Sequence, residues 1–556
     1  MVGWYDPRQL VRTAIDVVVS TLFARNADRR LTDAVATSQY GPFDYRKLEG
    51  TETPRREFVL DYVADTGDGW NSTYAVAYWV SRPTLQVQDP SGQTHETRRG
   101  DVLIFGGDEV YPTASPKGYE RRLVAPYETA LEWTEKPSPD LFAIPGNHDW
   151  YDNLIAFSRR FVTCEWLGGW RTRQERSYFA LRLPHGWWLV GSDVQLESDI
   201  DQPQVAFFRD VAKQMDDRDR VILCTAEPHW VYEHERSHPK RREKALSNLE
   251  FLEEKVFGNR IKVFLAGDQH HYRRHALSNG SMQKITAGGG GAFLHPTNGW
   301  RKGPLHGGFK LKCSFPSCWT SWFIGFRNLL FPFLNYQFGI LTGSIALMMY
   351  LTLAATLWRC SSTSPKTLVA QVAASIPMNA GAVLWILFVL CGFLLFTDTS
   401  SRVYRVLGGL AHGSAHLLTA FLIACGARIV LGELRSVPSW LVQFAALFID
   451  FGIGYVSGCL VMGIYLFLSL NVFHRHRNEA FSSLKIQDYK NFLRLWIDEA
   501  GDLHIYPIGI RRVPRAWRTV NNATIHDPKL EPAPDSAGTA PHLIEAPILL
   551  TRAAHR

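Results

Sequence analysis

Cysteine is scarce and unpatterned in this 556-residue chain. There are eight, none in a Cys-x-x-Cys pair, and only Cys164 and Cys224 precede residue 300. That excludes a disulfide-dense secreted scaffold and a thiolate zinc ribbon, and leaves reduced, structural thiols. The opening segment, YDPRQLVRTAIDVVVSTLFARNADRR, lacks a small-residue cleavage site and is interrupted by Arg12 and Asp16, so it is a poor signal peptide. Leu10, Val11, Ala14, Ile15, Val18 and Leu22 fit one helical face, which lies on a membrane surface or packs on the domain behind it. No internal repeat is present. The glycine run in ITAGGGGAFLHPT lacks the Gly-Lys-Ser/Thr ending of a phosphate-cradling P-loop. A net charge of +7 suits an anionic bilayer or a phosphate-bearing substrate, and no patch reads as a nucleic-acid footprint.

Long apolar runs are absent from the first 300 residues and frequent afterwards. Four stretches, near residues 338–357, 378–397, 406–427 and 448–470, match the roughly 20 helical residues needed to cross about 30 Å of hydrocarbon. Arg301, Lys302, Lys310, Lys312, Arg327, Arg402, Arg405, Arg475, Arg477, Lys485 and Lys490 share one side, against Arg359, Lys366, Arg428 and Arg435 on the other. The positive-inside rule then puts both flanks in the cytoplasm, as expected of an integral multi-pass membrane protein. Within the third stretch His412 and His416 share a helical face, with Asp450 a partner for one of them.

In the soluble part, five apolar runs end on polar ligand types. EFVLDYVADTGDGW delivers Asp65, DVLIFGGDEVYP delivers Asp108 and Tyr111, LFAIPGNHDWYD delivers Asn147 and His148, RVILCTAEPHWVY delivers His229, and KVFLAGDQHHYRRH delivers Asp268 and His270. One Gly-Asp after an apolar run is usually a capped turn. Five in succession fit a crevice at strand C-termini, where carboxylate oxygen and imidazole nitrogen suit hard and borderline cations.

This order of motifs resembles the calcineurin-like metallophosphoesterase superfamily. GNHD is the most specific match; Gly67 stands where most of that superfamily has a histidine, and the Gly-Asp-x-x-Tyr of GGDEVYP resembles its purple acid phosphatase branch. The resemblance implies an α/β fold, a two-sheet β-sandwich flanked by helices. It implies two divalent or mixed-valence ions (Fe, Mn or Zn), the first held by Asp65, Asp108, Tyr111 and His270. The second would take Asp108, Asn147, His229 and Asp268, the last standing where the family has histidine and favouring a harder metal. His148 would be the catalytic proton donor in attack of a metal-activated hydroxide on a phosphomonoester or phosphodiester. Asp68, Glu109, Asp149 and Asp152 read as supporting neighbours, His271 and His275 as rim residues, and Gly288–Gly291 as a close-packed turn beside the site.

The expected organisation is an amphipathic segment (1–50), a metallophosphoesterase domain (51–312), an all-α four-helix transmembrane domain (330–473) and a cytoplasmic tail with a β-hairpin (474–520). The Pro- and Ala-rich end (521–556) is expected to be disordered. A membrane-anchored phosphoesterase acting on a possible lipid-linked substrate competes with a non-catalytic membrane sensor or transport accessory that binds a phosphate ligand.

Overall fold

The computed structural model describes all residues except 14, 16–40, 135–137, 195–198, 237–246, 361–363, 398, 400, 435, 522–526, 537–539 and 553–556. Half of the proposed N-terminal helical face (Ala14, Val18 and Leu22) therefore lies outside the described residues; residues 7–13 are helical. The chain forms two compact units. One comprises residues 1–2, 13–318 and 485–556, and the other comprises residues 3–12 and 319–484.

The first unit is an α/β sandwich. One sheet has eight strands in the order β1 (Phe43–Asp44), β5 (Phe179–Arg182), β6 (Trp187–Ser192), β7 (Arg220–Thr225), β8 (Ile261–Ala266), β10 (Gln283–Ala287), β9 (Tyr272–Ala276) and β11 (Lys310–Phe315). The other is built on parallel β2 (Phe58–Val63), β3 (Val102–Phe105) and β4 (Asp140–Ala143). It is continued on one side by Trp170–Thr172 and Trp166–Leu167. Its other side is extended by β12 (Lys490–Ile497) and β13 (Leu503–Ile510), with β14 (His542–Leu543) and β15 (Ile548–Leu550) on β13.

Strand alternation explains the layering. Phe58, Leu60 and Tyr62 of β2 point into the core between the sheets with Ile222, Val263 and Leu493. Val63, with Leu103 and Phe105 of β3, points the other way, into a core shared with Tyr74 and Ala77 of helix α1 (Trp70–Val80). The parallel strands are buried on both faces, which is why they read as near-continuous apolar runs.

The hairpin expected around EAGD forms as β12–β13, but it is not an appendage. β12 pairs antiparallel with β2 through five residues, from Leu493–Tyr62 to Ile497–Phe58. Facing away from the inter-sheet core, Arg494 bonds Asp61 through two nitrogens at 2.7 and 3.1 Å, both side chains almost fully buried. The sheet of the first unit is thus completed by chain that follows the apolar helices.

The expectation of disorder beyond Asn521 is corrected for the described residues there. Leu543 pairs with Ile508 and Leu550 with Leu503, because alternate apolar side chains in HLIEAPILL find an unpaired edge of β13. Composition alone registers the prolines and misses that edge.

The second unit is helical. Among the described residues three helices are long and apolar enough to cross a membrane: Tyr336–Arg359, Arg402–Gly432 and Ser439–Asn471. Pro365–Met378 and Ala380–Phe396 form a fourth span if the pair, bent by 87°, counts as one. His412 and His416 are buried with their Nε2 atoms 3.2 Å apart, and His412 stacks on Tyr465. Asp450 pairs with neither; among the described residues its carboxylate oxygens have no hydrogen-bond partner, since the helix register places it near Cys425 and Tyr350 instead.

Candidate metal centre

Each candidate ligand follows the C-terminal end of a parallel strand: Asp65 follows β2, Asp108 and Tyr111 follow β3, Asn147 and His148 follow β4, His229 follows β7, and Asp268 and His270 follow β8. The chain must turn sharply there to present side chains to the crevice. Asp65, Asp108 and Asp268 all adopt left-handed backbone conformations, with φ of 58°, 54° and 64°. Such φ values are uncommon outside glycine, and three aspartates sharing them at one crevice is a functional-site signature.

The tightest convergence is around the Tyr111 phenol. Its oxygen lies 2.9 Å from Asp65 Oδ1, 3.0 Å from Asp108 Oδ2 and 2.9 Å from His270 Nε2. His270 Nδ1 is 2.7 Å from the Phe293 carbonyl, which only accepts, so Nδ1 carries the proton and Nε2 presents its lone pair. Burial, followed by the neighbouring His295 and Lys490 charges, holds His270 well below the ordinary imidazole range and keeps it neutral. Three acceptors thus surround a single phenolic hydrogen. Asp65 Oδ2 is buried with no hydrogen-bond partner. Burial pushes both Asp65 and Asp108 well above the carboxylate range, followed by repulsion from Asp108 and Asp268 on Asp65 and from Asp149 and Asp268 on Asp108.

Among the described residues no three His, Cys, Asp or Glu side chains form a ready-made metal site; here a phenol occupies the hub. The donor set nevertheless fits a cation. Two carboxylate oxygens and one neutral imidazole nitrogen lie within 3.0 Å of the phenolic oxygen, with one hydrogen among them and, among the described residues, one carboxylate oxygen unpaired. Gly67 shows why a tyrosine serves here. At φ 43°, a Cβ at this position would lie 2.1 Å from the Glu109 carbonyl, so no side chain can enter from this turn, and Tyr111 reaches in from the next loop.

The other candidates are less concentrated. His148 donates its backbone N–H to Asp108 Oδ1 at 2.9 Å, and its ring centroid is 4.4 Å from that of Tyr111. Its Nδ1 bonds the Pro112 carbonyl at 2.6 Å. Asn147 donates to the Tyr151 hydroxyl at 3.2 Å. Asp268 sends its N–H to Asp65 Oδ1 at 3.1 Å, while its carboxylate accepts from the Tyr232 hydroxyl. His229 begins helix α2 (His229–Arg236) with Nε2 2.8 Å from Glu253 Oε1, and among the described residues no hydrogen bond joins it to Asp108, Asn147 or Asp268. The structure therefore gathers Asp65, Asp108, Tyr111 and His270 directly and holds His148 and Asp268 against them by backbone contacts. It gives Asn147 and His229 other partners.

The acidic neighbours support the loops. Asp68 accepts from the Val2 and Phe293 amides, Asp149 from Gly146 N and the Tyr119 hydroxyl, and Asp152 from Ala156 N. His271 and His275 are buried on or beside β9, not at a rim, because that strand is covered on both faces. The glycine turn packs against the site as expected: a Cβ on Gly288 would lie 2.1 Å from Asp65 Oδ2.

Sequence reasoning missed what holds that turn. Asn491 N donates to the Gly289 carbonyl at 3.0 Å, and the buried Lys490 ammonium donates to the Ala292 carbonyl at 2.5 Å. Burial pulls Lys490 down to about 8 despite the attraction of Asp488, Asp68 and Asp65. No local signal marked these residues, since they lie more than 190 positions beyond the turn they hold.

An α/β sandwich that collects carboxylate, phenol and imidazole donors at one edge of its strands defines a candidate metalloprotein. Residues 61–272 match the family model described as calcineurin-like phosphoesterase, and the chain carries a domain of that family. The match includes every candidate ligand. Comparison with curated proteins gives no match. Among solved structures the chain is similar to GAP50, the anchor in the inner membrane complex of Plasmodium, at 11% identity and a TM-score of 0.31, covering 46% of this chain and 80% of that one. It is also similar to the purple acid phosphatase PPD1 from yellow lupin (Lupinus luteus) seeds, at 13% identity and a TM-score of 0.28, covering 46% and 47%. A third similarity is to PhoD, at 11% and 0.25, covering 43% and 58%. This chain thus spans about half the length of each of the latter two.

Proposed function

We propose that the protein is a membrane-anchored, metal-dependent phosphoesterase that hydrolyses a phosphomonoester or phosphodiester. The observation that carries this reading is the acceptor-rich cluster of Asp65, Asp108, Tyr111 and His270 inside a calcineurin-like phosphoesterase domain. These four residues would hold one cation, and Asp108 with Asp268, Asn147 and His229 a second after side-chain rearrangement at the last two. Bound cations would supply Lewis-acid polarisation of the phosphate and lower the pKa of a water.

The chain's own residues do the rest. Anchoring of His148 Nδ1 on Pro112 leaves Nε2 as the atom that moves a proton to the leaving oxygen. Burial lowers His148 below the ordinary imidazole range, opposed in part by the Pro112 carbonyl and the Asp149 and Asp268 charges, which favour the protonated form the donor role requires. Lys490 and the Gly288–Gly291 turn close the side of the crevice behind Asp65 and exclude water there.

The membrane reading is supported by three to four apolar helices and by the sheet. Because β12 pairs with β2, residues 58–63 and 490–497 lie on one side of any bilayer, and the helices between them cross it an even number of times. With three unbroken spans, the bent pair Pro365–Phe396 would have to supply a fourth crossing. Charge bias supports a cytoplasmic sandwich. A domain tethered to a bilayer meets lipid-linked phosphates at high local concentration, so these are the first substrates to assay.

The test is metal content of the detergent-purified full chain, with hydrolysis of mono- and diester substrates by wild type and His148→Ala. Two ions per chain and activity lost in the variant support the enzyme. No bound metal and no hydrolysis after addition of Mn, Fe or Zn overturns it in favour of a phosphate-binding membrane module.

A further inference from the structure

The parallel strands of the first sheet have two ends, and the candidate metal centre uses only one. At the opposite ends lies a cavity of about 1360 Å³. Arg220 opens β7, Lys262 follows the first residue of β8, and Arg182 closes β5, which runs antiparallel to β6 and so ends at the same edge. Arg46, Arg218 and Arg552 also line it. Strands of six residues rise about 20 Å, which separates this cavity from the metal candidates.

Its lining holds eight Lys and Arg against three Asp. Those carboxylates, with Asp219 attracting both Arg46 and Arg220, offset part of that charge and leave the lining net cationic. Asp219 Oδ2 accepts from Trp188 Nε1 at 2.9 Å and from Asp216 N at 3.1 Å. Among the described residues Arg46 pairs with Asp44, which also attracts Arg182, while Asp502 and Asp219 attract Arg220.

Arg220 is the second, independent observation. It is 8% exposed, its guanidinium stacks 4.2 Å from the Trp187 ring centroid, and Nη2 donates to the Gly501 carbonyl at 3.2 Å. Trp187 Nε1 donates to the same carbonyl at 3.1 Å, so the pair is fixed as a unit. Nη1 has no partner. Burial and the like charge of Arg552 pull Arg220 down to about 10, and Lys262 is lowered by burial and by Arg220. A buried, pre-oriented guanidinium with an unused donor, ringed by cations that repel one another, is complementary to several adjacent phosphates and not to a single carboxylate.

We propose that this cavity is a second ligand site, binding an oligophosphate group through Arg220, Lys262 and the surrounding arginines, separate from the metal centre. The ligand is either a soluble oligophosphate or a multiply phosphorylated lipid headgroup; the shared chemistry is clustered phosphate.

The test measures tripolyphosphate binding to the detergent-purified full chain by calorimetry in EDTA, which removes metal-centre binding. Wild type and Asn147→Ala are expected to bind with equal affinity, and Lys262→Glu/Arg218→Glu at least tenfold more weakly. Those positions are partly or fully exposed, so the pair is a usable variant even where Arg220→Gln fails to fold. Repeating the titration in nanodiscs distinguishes the sources. Tripolyphosphate binding lost with phosphatidylinositol bisphosphate but retained with phosphatidylcholine assigns a headgroup; retention in both assigns a soluble ligand. Equal affinity in wild type and the charge-reversed variant, or no tripolyphosphate binding by wild type, overturns the proposal.

Discussion

Replacing Arg494 tests whether the strand that follows the apolar helices is integral to the sandwich. Arg494 Nε and Nη2 bond the two oxygens of Asp61, Nη1 reaches Thr97 Oγ1 at 3.2 Å, and Nη2 also reaches the Val80 carbonyl at 3.3 Å. In Arg494→Met, Asp61 keeps only the Gly100 amide at 2.9 Å and becomes an unpaired buried charge. The loss should be about 3–5 kcal/mol, and Asp61→Leu should lose a similar amount by stranding the guanidinium. The double variant Asp61→Leu/Arg494→Met removes both charges and leaves chiefly the Gly100 N–H unpaired, a loss of about 1–3 kcal/mol. The cycle should therefore show a coupling of roughly 5 kcal/mol. Hydrogen exchange followed by mass spectrometry on the intact chain reads this locally. Amide protection across residues 490–497 should fall roughly two to four orders of magnitude in each single variant and only about one to two in the double. A single variant within about 1 kcal/mol of wild type, or losses that simply add, would refute the account of β12 as a structural strand of this domain.

Three further outcomes follow from the same geometry. Tyr111→Phe removes the hub oxygen shared by Asp65, Asp108 and His270, so metal affinity should fall at least tenfold while the fold is retained; unchanged metal stoichiometry after dialysis would count against Tyr111 as a ligand. His275, buried beside Arg273, Arg274 and Lys284, is pulled down to about 3, first by desolvation. Its unfolded form takes up a proton near pH 6.5, so the stability linked to neutral His275 is complete above that pH and is lost as pH falls toward 3. Denaturant titrations of the intact chain should show a steeper acid limb for wild type than for His275→Gln, by up to a few kcal/mol, and parallel limbs would sink the assignment. Finally, tags inserted at Gly303 and at the C-terminus should be protected from protease together in oriented membrane vesicles; protection of only one would mean an odd number of crossings.

The candidate ligands could be listed from the sequence because the pattern that marks them is local. Each of Asp65, Asp108, Asn147 and Asp268 stands within four residues of the end of an apolar run, and a strand with a functional tip leaves that trace in any order of reading. The apolar helices were equally legible, since hydrocarbon imposes length and composition on each span separately. Tertiary structure decided which donors meet: Tyr111 and His270 are 159 positions apart and 2.9 Å from each other. It turned His229 toward Glu253, buried His271 and His275, and recruited the chain end into the sheet. It also placed β12 against β2, and with it Lys490 behind Asp65. Hydrophobic periodicity specifies that a strand exists and which face is buried, but its hydrogen-bonding edges are identical in every strand. Only the assembled sheet shows which edge remains open for a strand arriving more than 400 residues later.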